Sequence, residues 1–279
     1  MIVTAHIDEV RAIRRQESEQ SWGFVPTMGY LHEGHLSLVR RAREENGRVA
    51  ASIYVNPTQF APTEDLASYP RDLDRDLSLL EAENVDLVFT PSDEIMYPPD
   101  FQTTVLLSKV TKPLEGASRP THFAGVATVV AKLFNIIQPD RAYFGQKDAQ
   151  QAVVLRQMVR DLNFGLELIV CPIVREPDGL AMSSRNKYLS PPERKAALVL
   201  SHALQQAQAA FTTGERDANA LRRIMVGLIA AEPLARLDYV SAAHPETLAE
   251  LEQIEDRALL SMAVFIGQTR LIDNLIVSE

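Results

Sequence analysis

Two histidines three residues apart, His32 and His35, stand in the segment His32-Glu33-Gly34-His35, shortly after the apolar run Phe24–Thr27. If that run is a strand and the segment opens a helix, both rings lie on one face of its first turn. A helix N-terminus offers unpaired backbone N–H groups and partial positive charge, which suits phosphate. Imidazoles placed there can donate to phosphate oxygens and stabilise charge that develops at phosphorus during displacement. Gly29 permits a tight turn before the helix, and Gly34 leaves the backbone open to a flat base or a phosphate. A single histidine in a turn is usually only solvated. Zinc is disfavoured, because the spacing is not the i, i+4 of a metalloprotease helix and no third ligand is evident.

Three further segments combine residues of the same chemical kind. In Tyr54–Phe60 (YVNPTQF), the amides of Asn56 and Gln59 could read a hydroxyl and a carboxylate together. In Gly145-Gln146-Lys147-Asp148, Lys147 supplies a positive charge for phosphates, and Asp148 can cap a helix or hold a ribose hydroxyl. In Met182-Ser183-Ser184-Arg185, two hydroxyls and a guanidinium can wrap phosphates through charge-assisted hydrogen bonds. Each alone reads as an ordinary turn or surface loop. Behind His32 and His35 in this order, the Met182–Arg185 loop reads instead as part of a phosphate site.

The elements that must position these segments are written in the apolar spacing. Phe24–Thr27, Arg48–Val55, Val85–Thr90, Ala142–Phe144 and Leu166–Val170 read as strands, alternating with helical patterns such as Leu36, Val39 and Ala42. That alternation predicts an α/β fold, a Rossmann-like doubly wound parallel sheet over residues 1–174. A ligand binds outside the carboxyl ends of such strands, where the four segments fall. A helix from Pro192 to about Phe211, a second from Ala218 to Ala231, and strands at Leu237–Ala242, Ala258–Phe265 and Leu271–Asp273 predict a smaller α+β domain over 175–279.

Composition narrows the class. With 46% hydrophobic and 23% charged residues in 279, the chain is an ordinary globular protein rather than a disordered or fibrous one. The single cysteine, Cys171, allows no internal disulfide and points to a cytoplasmic protein. A net charge of −9 and no basic cluster argue against nucleic acid as a partner. No 18-residue apolar stretch or signal-peptide pattern is present, so no membrane role is expected. Cys171 and Trp22 read as packing residues, and His6, His202 and His244 show no partner.

The segment PTMGYLHEGHLSLVRRAR resembles the HIGH signature of the nucleotidyltransferase superfamily, shared by class I aminoacyl-tRNA synthetases and small adenylyltransferases. With YVNPTQF, RPTHFAGVATVVAKLFNIIQPD, YFGQKDAQQ and DGLAMSSRNKYLS, nearly the whole chain resembles the pantoate–β-alanine ligase family. Thr121 stands where that family more often has glycine, beside Arg119 and His122. The resemblance implies an ATP- and Mg²⁺-dependent condensation of (R)-pantoate with β-alanine through a pantoyl adenylate, releasing AMP and pyrophosphate. It implies ATP contacts at Met28, Gly29, Tyr30, Leu31, His32, Glu33, Gly34, His35, Gly145, Gln146, Lys147, Asp148, Val174, Met182, Ser183, Ser184 and Arg185. Gln59 and Gln151 would hold pantoate, Gln59 reaching towards β-alanine, and Asn56 joins them by position. Catalysis is expected from His35, which the family treats as a proton donor, with His32, Lys147, Ser183, Ser184 and Arg185. No protein metal ligand is expected, Mg²⁺ being held mainly by ATP phosphates, and a homodimer is implied. The smaller domain would close as a lid carrying the Met182–Arg185 loop.

Three other readings share these motifs. Another adenylyl-transferring enzyme would keep AMP on its product. A tRNA-binding module would need a basic surface, which the charge balance does not supply. A nucleotide sensor on the same fold would bind ATP without turnover.

Overall fold

The computed structural model describes residues 1–62 and 64–279. Its first part alternates strands and helices: β1 (Ile2–Thr4), α1 (Ile7–Gln16), β2 (Trp22–Thr27), α2 (Glu33–Glu45), β3 (Arg48–Ile53), α3 (Leu73–Ala82), β4 (Leu87–Phe89), α4 (Asp93–Met96), α5 (Glu115–Ser118), α6 (His122–Ile137), β5 (Arg141–Gly145), α7 (Ala149–Asp161) and β6 (Glu167–Cys171). The strands form one sheet in the order β1-β4-β3-β2-β5-β6, every neighbouring pair parallel. From β4 to β6 this is the doubly wound order, with β1 added at one edge. The direction of winding reverses between β2 and β5, and a crevice opens at that switch point.

Successive residues of a strand face opposite sides of the sheet, which explains the continuous apolar runs. Phe24, Ala50, Leu87 and Phe144 pack against α6, whose sequence is apolar almost all round. Their neighbours Val25, Ala51, Val88 and Tyr143 face the other way, towards Leu38, Val39 and Ala42 of α2 and Leu80 of α3. Each large side chain fully buried here, such as Phe134 or Leu80, contributes about 1.5–3 kcal/mol.

The second part holds α8 (Pro191–Ala196), α9 (Leu198–Thr212), α10 (Ala218–Ala230) and an antiparallel sheet of β7 (Ala235–Ala243), β8 (Arg257–Ile266) and β9 (Thr269–Ser278). It has its own core, including Leu200, Leu204, Phe211, Leu221 and Met262. The expected helix over 192–211 is two helices, because the chain tightens at Ala197, whose carbonyl accepts from Leu200 N–H in a three-residue turn. Strand β9 is longer than its apolar pattern suggests. Asp273 and Asn274 interrupt that pattern yet are buried, at 1% and 3% exposure, because each has protein partners. Strand β1 and helix α1 did not stand out in the sequence: β1 is three residues long, and Ile2 and Val3 are exposed.

The two parts meet in a small apolar cluster, where Val153 and Val154 of α7 lie with Leu248 and Leu259. Among the described residues no helix is long and apolar enough to cross a membrane.

Candidate active site

The backbone between β2 and α2 carries two consecutive residues at positive φ, Gly29 at 82° and Tyr30 at 49°. Asp76 of α3, 1% exposed, holds this turn from beneath. Its carboxylate accepts the backbone N–H groups of Tyr30 at 2.6 Å and Leu31 at 2.7 Å. A Cβ on Gly29 would come within 3.0 Å of the same carboxylate, so glycine is required for space as well as for φ. Burial raises the Asp76 carboxyl above its ordinary range, although both N–H donors and Arg75 pull it down.

His32 is the N-cap of α2. Its Nδ1 accepts the Gly34 N–H at 3.1 Å, while Nδ1 of His35 accepts the His32 N–H at 3.3 Å. The ring centroids lie 4.0 Å apart. Burial pushes His32 down to about 4, with the charge of Lys147 adding to the shift. Burial, then His32, then Lys147 hold His35 well below the ordinary imidazole range. Both rings are therefore neutral at pH 7. Since each Nδ1 is an acceptor, each proton sits on Nε2, and two N–H donors stand beside the helix N-terminus. Glu33 turns away and pairs with Arg40.

Across the switch point, β5 runs into the turn Gln146–Asp148 and then into α7. Lys147 lines the same cavity as His35, its charge lowers both imidazoles, and its ammonium lies 3.8 Å from Asp148. The Gln146 amide is taken by Asn274 of β9 at 3.1 Å. One turn into α7, Gln151 lines the cavity, and so does Gln150, whose amide is bonded to Val110, Pro113 and Glu115.

After β3, Pro57–Gln59 forms a short 3₁₀ turn whose N-cap is Asn56. Asn56 is 1% exposed, and its amide is occupied by the protein. It donates to Gln59 Oε1 at 3.1 Å and to Gly125 O at 3.3 Å, and accepts from Tyr97 OH at 2.8 Å and Thr58 Oγ1 at 3.0 Å. Asn56 thus lines the cavity beside Gln59, with its own amide already bonded within the protein. Among the described residues, Nε2 of Gln59 meets only the Met28 thioether, at 3.0 Å, a weak acceptor that leaves this amide available to a ligand. The turn can sit so close to α6 because of Gly125, where a Cβ would fall 2.4 Å from Thr58 O. His122 and Arg119 both donate to the Gln59 carbonyl, at 2.9 and 3.4 Å. Thr121, directly before His122, adopts right-handed helical angles open to any residue, so a glycine is not needed there.

The Met182–Arg185 loop returns from the second part of the chain onto the histidine turn. Met182 Cβ lies 3.8 Å from where a Gly34 Cβ would stand, and Ser184 Oγ donates to Tyr30 O at 3.3 Å. Val174 anchors the loop by accepting from the Met182 N–H at 3.0 Å. Ser183 caps the following turn. Arg185 pairs with Asp65 through Nε and Nη2, at 3.0 and 2.9 Å, and Glu64 grips Arg119 in the same manner at 2.6 and 2.7 Å.

These segments enclose a cavity of about 980 Å³ whose wall includes Met28, His35, Gln59, Lys147, Ser183 and Arg185. Gly29, Tyr30, Leu31, Gly34, Gln146, Val174 and Ser184 build its supports. Among the described residues, no three or more histidine, cysteine or acidic side chains cluster to hold a metal ion. Asp76, Gly125, His122 and Asn274 were not singled out as site residues from sequence. Only the glycine inside an otherwise apolar helix left a local signal.

The family model described as pantoate-beta-alanine ligase matches residues 2–276. A pantothenate synthetase of Roseiflexus castenholzii is 62% identical over 277 residues, covering 99% of each chain. The crystal structure of pantothenate synthetase from Thermus thermophilus is similar with a TM-score of 0.95 at 50% identity, over 99% of both chains. A pantoate-beta-alanine ligase from Francisella tularensis, complexed with beta-gamma ATP and beta-alanine, gives a TM-score of 0.81 at 36% identity, over 99% of this chain and 97% of that one.

Proposed function

The chain belongs to the pantoate-beta-alanine ligase family, and from that premise we propose that it joins (R)-pantoate to β-alanine in two steps within the cavity between β2 and β5. The observation that carries this reading is the convergence of three phosphate-suited segments beside two glutamines. The His32–His35 turn, the Lys147 turn and the Ser183–Arg185 loop meet at one cavity that Gln59 and Gln151 also line. The Francisella relative's complex supports the same ligands here.

In the first step a pantoate carboxylate oxygen attacks the α-phosphorus of Mg·ATP, and pyrophosphate leaves. Such a displacement needs positioning and charge stabilisation more than covalent help. The Nε2–H groups of His32 and His35 donate to phosphate oxygens without giving up their protons. Lys147 supplies full positive charge, and Ser183, Ser184 and Arg185 hold the outer phosphates. Gln59 and Gln151 orient pantoate, and Asn56 fixes Gln59. Glu64 and Asp65 are committed to arginines, so the Mg²⁺ of the substrate takes its ligands chiefly from phosphate oxygens and water. In the second step the β-alanine amine attacks the acyl carbon and AMP departs.

The adenylate is a mixed anhydride that water would destroy, which gives the Met182–Arg185 loop and the domain 175–279 behind it the role of a lid. The protein works in the cytoplasm as a homodimer. Exposed apolar side chains at the β1 edge, Ile2 and Val3, and at Leu106 supply surface for that association. Sedimentation at two protein concentrations tests the dimer. The ligase reading is tested by AMP and pyrophosphate release from Mg·ATP with pantoate and β-alanine omitted in turn. AMP release should require both acids, and pyrophosphate without AMP would point to another adenylyl transfer.

A further inference from the structure

The turn that presents Lys147 is gripped from outside its own sheet. Asn274 of β9, 3% exposed, donates Nδ2 to the carbonyls of Gln146 and Lys147, at 3.1 and 2.9 Å. Its Oδ1 accepts from Gln146 Nε2 at 3.1 Å, so one amide makes three bonds to two adjacent residues. Asn274 is itself fixed. Its backbone N–H donates to Asp273 Oδ1 at 2.8 Å, and Asp273 receives both arms of Arg175 at 2.7 and 2.9 Å. Arg175 follows Val174, the anchor of the Met182–Arg185 loop.

From this geometry we infer that Asn274 is a positioning residue for Lys147 in the first half-reaction. A trans peptide directs its N–H opposite to its C=O. Fixing the Gln146 carbonyl towards β9 therefore turns the Lys147 N–H away from β9 and sets the Cα from which the ammonium projects. Only an amide does this: a carboxylate lacks the donors, and a hydroxyl cannot serve two carbonyls and one donor together. The C-terminal sheet thus holds part of the phosphate site rather than only covering it. The inference deepens the two-step reading and rests on it.

The test is Asn274→Ala, read by pantoate-dependent exchange of labelled pyrophosphate into ATP. Exchange should fall about tenfold or more, whereas transfer of preformed pantoyl adenylate to β-alanine in a single turnover should stay within about twofold. The same change in a Lys147→Ala background should cost about twofold or less, since residues acting as a unit are not additive. If Asn274→Ala fails to fold, Asn274→Thr, suited to a strand and keeping one donor, is measured the same way. Equal losses in both half-reactions, or an undiminished loss beside Lys147→Ala, would overturn the positioning role. Wild-type protein that shows no exchange at all would instead refute the adenylate reading beneath it.

Discussion

The backbone N–H of His32 donates to Nδ1 of His35, 3.3 Å away, and this bond decides which imidazole nitrogen carries a proton. With Nδ1 occupied as an acceptor, Nε2 must be the protonated nitrogen of the neutral ring. The Gly34 N–H does the same for His32 at 3.1 Å. The two histidines are thus oriented by backbone N–H groups at the start of α2.

Nitrogen-15 NMR should find both rings as the neutral Nε2–H tautomer at pH 7, with His32 still uncharged at about pH 5. His35→Ala should slow adenylate formation about tenfold or more, about 1.4 kcal/mol of transition state. His35→Gln, whose amide can replace the Nε2 donor, should lose less. An Nδ1–H tautomer, or equal losses in both variants, would contradict the donor role.

Stability should fall as pH drops from about 6.5 to about 4. Burial holds folded His32 and His122 near 4, while the unfolded chain takes up those protons near 6.5. Within that window the unfolded state binds more protons, so acid favours it, and the histidine contribution levels off below the window. Each such histidine steepens the slope by up to about 1.4 kcal/mol per pH unit. His122→Asn keeps a donor near Gln59 O but cannot titrate. Urea denaturation at several pH values should show a flatter acid slope for this variant, and an unchanged slope would remove His122 from the account.

Asp76→Ala removes both acceptors of the Tyr30 and Leu31 N–H groups. The cost should be about 3 kcal/mol for two orphaned donors, together with at least about a tenfold loss of adenylate formation. Denaturation and pyrophosphate exchange read the two effects separately. A stable variant with normal exchange would show that the turn holds its own shape.

Two helical glycines should respond with opposite sign. Gly125→Ala forces a Cβ onto Thr58 O and should destabilise by about 1–3 kcal/mol, weakening pantoate binding through Gln59. Among the described residues, nothing outside the backbone of α10 itself lies within 4 Å of the would-be Cβ of Gly227, so Gly227→Ala should stabilise by about 0.5–1 kcal/mol. Thermal melts of the two variants check both expectations.

Much of this arrangement was legible in the sequence where chemistry and periodicity coincide. The buried strands announced themselves as β-branched runs, and His32, His35 and Lys147 fall directly after strand ends, where a doubly wound sheet places ligands. Asn56 was legible as a residue of the site but not as a support, because an amide's partners are set by tertiary contacts. Asp76 sits between Arg75 and Leu77 with no local sign that a turn 45 residues away in sequence needs its carboxylate. Asp273 and Asn274 looked like the end of a strand, because polar residues break an apolar pattern whether or not their partners bury them. Ala197 divides an apparent long helix by a single three-residue hydrogen bond, below what spacing can show.

The proposed route stands on attack of a pantoate carboxylate oxygen at the α-phosphorus of ATP. The most direct measurement uses pantoate labelled with ¹⁸O in its carboxylate, with mass analysis of the AMP after turnover with β-alanine. One labelled oxygen per AMP and none in pyrophosphate is the expected result. Label in inorganic phosphate, with ADP formed in place of AMP, would mean attack at the γ-phosphorus and would contradict the account.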